Sequence, residues 1–150
     1  MRLDAGTWVL VVDGAKALFL ENAGDARNPN LQVVRKEGNE APDNRGEATT
    51  GSRGAGRNAG SDTGPDEADE VRRMEEHDFA TSVAKDLYAA AHRGRFERLV
   101  IVAPPKVLGT IRKVLHKEVS SKVVGEVHKT LTGHPVHEIE RILAAEPEAA

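Results

Sequence analysis

The apolar positions of this chain keep one period in its first third and a different one after its middle. Thr7–Val12 is a near-continuous run rich in β-branched residues, the pattern of a buried strand. Asp13-Gly14-Ala15 follows as a turn signal between two apolar runs and predicts a hairpin into a second strand over Lys16–Glu21. "ENAGDARNPN" supplies turn residues, and "LQVVR" over Leu31–Arg35 predicts a third strand. Short links between three successive strands predict an antiparallel meander.

From Pro65 to about His92 the spacing lengthens. Val71, Met74, Phe79, Val83, Leu87 and Ala90/Ala91 recur at steps of three to five, predicting one long amphipathic helix. Pro65 and the acids Asp66, Glu67, Asp69 and Glu70 suit its positive end, and Gly94 suits its C-terminus. Arg98–Ala103 reads as another buried strand. Pro104-Pro105 then opens a helix with Val107, Leu108, Ile111, Val114 and Leu115 on one face. A valine-rich segment near Val123–Lys129 predicts a fifth strand, and Val136, Ile139, Ile142 and Leu143 lie on the stripe of a closing helix. The order is β-β-β-α-β-α-β-α. A meander followed by right-handed crossovers gives an α/β fold with a mixed five-stranded sheet flanked by helices, the ribonuclease-H-like arrangement. No internal repeat is evident. The expectation is a single domain over 1–150 with a flexible Gly-rich loop at about 38–64.

Charge narrows the function classes. Lys and Arg number 21 against 24 Asp and Glu, a net charge of -3, which argues against wholesale non-specific nucleic-acid binding and leaves room for a local basic patch. The absence of cysteine excludes disulfides and thiolate metal sites. The run "WVLVV" is shorter than a signal-peptide core of roughly 7–15 residues, and no stretch approaches the roughly 20 of a membrane span. The expectation is a soluble, cytoplasmic protein.

The segment Gly46–Gly64, "GEATTGSRGAGRNAGSDTG", contains two motif look-alikes. "GSRGAGRN" has the glycine spacing of a P-loop but puts Arg57 and Asn58 where lysine and a hydroxyl belong. "GAGRNA" lacks the preceding strand that a dinucleotide fingerprint needs. Two readings stay open: Arg45, Arg53 and Arg57 with free glycine amides hold an anion such as RNA phosphate, or the segment is a surface loop with no fixed ligand. Asp13 is placed for a metal nuclease, but the fourth strand ends in Ala103-Pro104-Pro105, where a second acid would stand, and Asp13 is explained as the hairpin residue. His134 and His137, with His128 nearby, have no third firm ligand dictated by spacing. No catalytic residue, metal or cofactor is expected. The stronger signal is basic: Lys106, Arg112, Lys113 and Lys117 are expected on the polar side of the second helix, and two readings stay open there, a face that meets phosphate or an acidic partner and a solvated helix face. Aromatic residues are only 3% of the chain, which does not support a base-stacking platform.

"TWVLVVDGAKALFLE", "FERLVIVAPPKVLGTIRKVL" and "VVGEVHKTLTGHPVHEI" together resemble the bacterial host attachment family, proteins required for attachment to host cells. The resemblance spans nearly the whole chain and rests on Trp8, Asp13-Gly14-Ala15, Ala103-Pro104-Pro105, Leu108-Gly109 with Arg112, and Lys129-x-Leu131-Thr132. The family usually has aspartate after that lysine, and this chain has Thr130. The family is in turn similar to the middle domain of archaeal and eukaryotic class-1 peptide release factors. There a Gly-Gly-Gln loop stands between the meander and the long helix, where this chain has Gly46–Gly64 and no Gly-Gly-Gln. The resemblance implies a non-enzymatic binding protein concerned with host attachment, with a protein or host-surface partner. The alternative it implies is a module binding the ribosome or structured RNA, without peptide-release activity.

Overall fold

Five strands and four helices follow one another in the described chain. β1 (Trp8–Val12), β2 (Lys16–Asn22) and β3 (Leu31–Gly38) form the meander. Then come α1 (Pro65–His92), β4 (Leu99–Val102), α2 (Pro105–Val114), the single turn α3 (Lys117–Ser120), β5 (Val123–Val127) and α4 (Val136–Ala144). The structure is a computed structural model and describes residues 1–38 and 65–148. The sheet order is β3-β2-β1-β4-β5, with β1–β2 and β2–β3 antiparallel and β1–β4 and β4–β5 parallel. This is the mixed five-stranded α/β sheet that the periodicity predicts.

Because side chains alternate along a strand, β1 feeds two cores. Leu10 and Val12 join Phe19, Leu99 and Ile101 beneath Val83 and Leu87 of α1, Leu108 and Ile111 of α2 and Val119 of α3. Val9 and Val11 join Leu20, Val100 and Val102 on the other face, against Ile139 and Leu143 of α4. No residue of β1 is left exposed.

Three features differ from the sequence expectation. The apolar stripe of α1 is not buried along its length: Val71 and Met74 are 52% and 57% exposed, and full burial begins at Ala80. The reason is length. A 28-residue helix spans about 42 Å, whereas a five-residue strand spans about 17 Å, so the first turns of α1 run past the sheet. Second, α2 stops at Val114: Leu115 turns extended, and His116 caps the separate α3 by accepting the Glu118 amide at 2.9 Å. Lys117 therefore stands outside α2. Third, β3 runs on to Gly38, and β5 ends at Val127 rather than near Lys129. Among the described residues, no helix is long and apolar enough to cross a membrane.

Leu10→Ala, at a fully buried position of β1, is expected to lower stability by roughly 2–5 kcal/mol in denaturant unfolding. Val34→Ala on the 41%-exposed edge is expected to stay within about 0.5 kcal/mol. Equal effects would contradict this assignment of the core.

Candidate functional site

Open α/β sheets present ligand sites beyond the carboxyl ends of their parallel strands. Here those ends carry Asp13 after β1, Ala103-Pro104-Pro105 after β4, and the loop with Lys129 and Thr132 after β5. The Asp13 carboxylate joins the first of these to the last. One oxygen accepts the amides of Ala15 and Lys16, each at 2.7 Å, and shapes the hairpin turn. The other accepts the Thr132 hydroxyl at 2.6 Å, joining segments 119 residues apart. Burial works to raise the Asp13 pKa, but the hydrogen bonds from Thr132, Ala15 and Lys16 and the Lys16 charge outweigh it, so the carboxyl sits below its ordinary range. Asp13 is a structural tie. Among the described residues, no group of three or more His, Cys, Asp or Glu is placed to hold a metal ion, and His134 faces Glu138 at 2.6 Å.

Beside this turn lies a cavity of about 180 Å³ lined by Gly14, by Arg73, Glu76 and His77 of α1, and by Lys106 and Thr110 of α2. Gly14 lets the turn lie against α1, since a Cβ there would stand 2.8 Å from the Glu76 carboxylate. Pro104 is the N-cap of α2 and provides no side-chain cap, and Pro105 occupies the first turn. The amides of that turn have no partner within the helix and form the positive end of its dipole. Lys106, Arg73 and His77 add cationic or titratable groups, set against one acid, Glu76. Arg73 also reaches Glu70 at 3.0 Å. Such an arrangement suits an anion. The chain leaves β3 beside it, where Gly38 pairs with Lys16.

The basic residues singled out in the sequence separate in space. Lys106 and Lys113 are exposed and, seven residues apart, share one face of α2 with Gly109 between them. Among the described residues, a Cβ at Gly109 would meet nothing within 4 Å. Arg112 turns toward β5 and pairs with Glu126, its Nε 3.1 Å from the carboxylate, and holds the Glu126 carboxyl below its ordinary range. Lys117 belongs to α3. Arg45, Arg53 and Arg57 lie outside the described residues. Of the motif residues, Trp8 is buried and stacks on Phe96 at 4.8 Å, Lys129 pairs with Glu146 at 2.5 Å, and Leu131 enters the core. Trp8, Asp13, Pro104 and Lys129 thus build the fold more than they present chemistry. Sequence reasoning missed Arg73 and His77, whose four-residue spacing on a helix was the available signal, and missed the partnership of Asp13 with Thr132.

A family model described as bacterial archaeo-eukaryotic release factor family 12 matches residues 6–143. A protein of Rickettsia prowazekii (strain Madrid E), described as "Uncharacterized protein RP470", is 32% identical over 77 residues, which are 50% of this chain and 51% of that protein. The match thus spans about half the length of that curated relative. Among solved structures, the crystal structure of the archaeal translation termination factor aRF1 resembles this chain with a TM-score of 0.48 and 11% identity, covering 85% of this chain and 31% of that one.

Thr132→Val is expected to move the Asp13 titration upward, read by carboxyl NMR. The stability that a depressed carboxylate contributes is present above its ordinary pKa and lost as pH falls through the folded value, so acid unfolding of the variant should begin at higher pH. An unchanged Asp13 titration would show that the hydroxyl does not hold it.

Proposed function

We propose, since this chain belongs to bacterial archaeo-eukaryotic release factor family 12, that it is a non-catalytic module binding ribosomal or other structured RNA at the carboxyl end of its parallel strands. The observation that carries this reading is the convergence of Lys106, Arg73 and His77 on one cavity that the first turn of α2, which no side chain caps, also lines. Phosphate oxygens fit such a set, because helix amides and cationic side chains address the same charge. Lys113 extends the cationic stripe along α2, and Arg45, Arg53 and Arg57 belong to the segment that joins β3 to α1. With a net charge of -3, the attraction is local to this end. Peptide release is not part of the proposal, because the sequence holds no Gly-Gly-Gln.

A second reading, a protein or host-surface partner, is favoured by Val71 and Met74, which stand exposed on the overhanging turns of α1. Attachment to host cells, implied by resemblance alone, belongs to this reading. Salt separates the two, since apolar contacts survive it and phosphate contacts do not.

Co-sedimentation of the protein with ribosomes is expected to weaken steeply with salt. Lys106→Ala with Lys113→Ala should weaken it further and lower the slope by about one unit per phosphate contact removed. Val71→Ser with Met74→Ser should leave it unchanged. Binding that persists at high salt and fails in the Val71/Met74 variant would establish the protein partner instead, and absence from ribosomes at every salt concentration would remove the RNA reading.

A further inference from the structure

A second cavity, of about 260 Å³, opens at the opposite end of the molecule, between the last turns of α1 and the edge strand β3. Its floor is Trp8 and Phe19, 6% and 1% exposed. Its cationic rim comes from the way α1 ends. Gly94 takes a φ of +72°, its amide donates to the Ala91 carbonyl, and the Arg95 amide donates to the Ala90 carbonyl, each at 2.9 Å. This pairing is the Schellman closure of a helix. It reverses the chain so tightly that Arg93 and Arg95, flanking the glycine, both line the cavity.

The arginines differ in what they already touch. Arg35 is engaged by Glu37 at 2.7 Å and Asp86 at 3.6 Å. Among the described residues, no ion pair engages Arg93 or Arg95. Burial, and then the hydrogen-bonded and charged Asp86, push the Glu37 carboxyl up to about 7, so at neutral pH this acid pair opposes the rim with less than its formal charge. Among the described residues, the buried Trp8 indole N–H has no acceptor. Each guanidinium offers two parallel N–H groups to a pair of oxygens, so two unengaged forks suit the three terminal oxygens of a phosphate better than the two of a carboxylate. The apolar floor and the volume admit a small organic group beside it.

We infer that this cavity binds a phosphate monoester, with Arg93 and Arg95 clasping the phosphate over the Trp8–Phe19 floor. The site is separate from the end proposed to bind RNA and does not depend on that reading. The same chemistry comes from a free phosphomonoester or from the 5′-phosphate of an RNA. Cations at the end of α1 also complement its dipole, a role that lysine fills equally well. Binding by the forked guanidinium does not survive that exchange.

Trp8 is the only tryptophan, so its emission reports on the cavity. The full chain is titrated at constant ionic strength with inorganic phosphate, adenosine 5′-monophosphate, adenosine, and a short RNA with either a 5′-phosphate or a 5′-hydroxyl. Saturable changes are expected with phosphate-bearing probes and not with adenosine or the hydroxyl RNA. Tighter binding of the monophosphate assigns the free ligand, and tighter binding of the phosphorylated RNA assigns the RNA end. Arg93→Lys with Arg95→Lys should weaken binding roughly tenfold or more while leaving the ligand-free melting temperature unchanged. No saturable change at millimolar phosphate probe, equal response to both RNAs, or wild-type affinity in the lysine variant would overturn the inference.

Discussion

β1 has no face in water, and most of the structure follows from covering it. Its odd and even residues require two separate apolar layers, which α1, α2 and α3 supply on one side and α4 on the other. Its two edges require one antiparallel and one parallel neighbour, so the strand becomes the point where the sheet changes from meander to crossover. A strand enclosed in this way delivers its chain to the carboxyl end in a fixed position. The Asp13 turn is set there by packing before any ligand is considered.

Asp13 ties that position to the rest of the carboxyl end. Its carboxylate joins the first hairpin to the loop after β5, and the Gly14 turn lies against α1. The start of α2 then faces the middle of α1 across a small cavity. The residues that hold this end together are largely motif residues, whereas those that face the cavity, Arg73, His77 and Lys106, are mostly outside the motifs. Scaffold and surface are thus divided between different side chains.

Much of the fold was legible because burial leaves a period in the sequence. The buried strands gave continuous runs, the long helix gave its three- to five-residue steps, and Gly94 marked its closure. The period says nothing of how far a neighbour extends, so the exposure of Val71 and Met74 had no sequence signature. Helical spacing likewise carried Lys117 into α2, because the extended Leu115 that separates the two helices is apolar and fits the stripe. The site was less legible. The Asp13–Thr132 bond joins residues from opposite ends of the chain, and the arginines of the second cavity come from β3 and the end of α1, brought together only by tertiary packing.

The central claim is that the carboxyl end of the parallel strands is the face that meets RNA. Ultraviolet crosslinking of the protein on ribosomes, with crosslinked residues identified by mass spectrometry, tests it most directly. The account predicts crosslinks at the Asp13–Lys16 turn, at Arg73 and His77, and at Lys106. Crosslinks confined to α4 and the β5 edge, with none at that end, would contradict it.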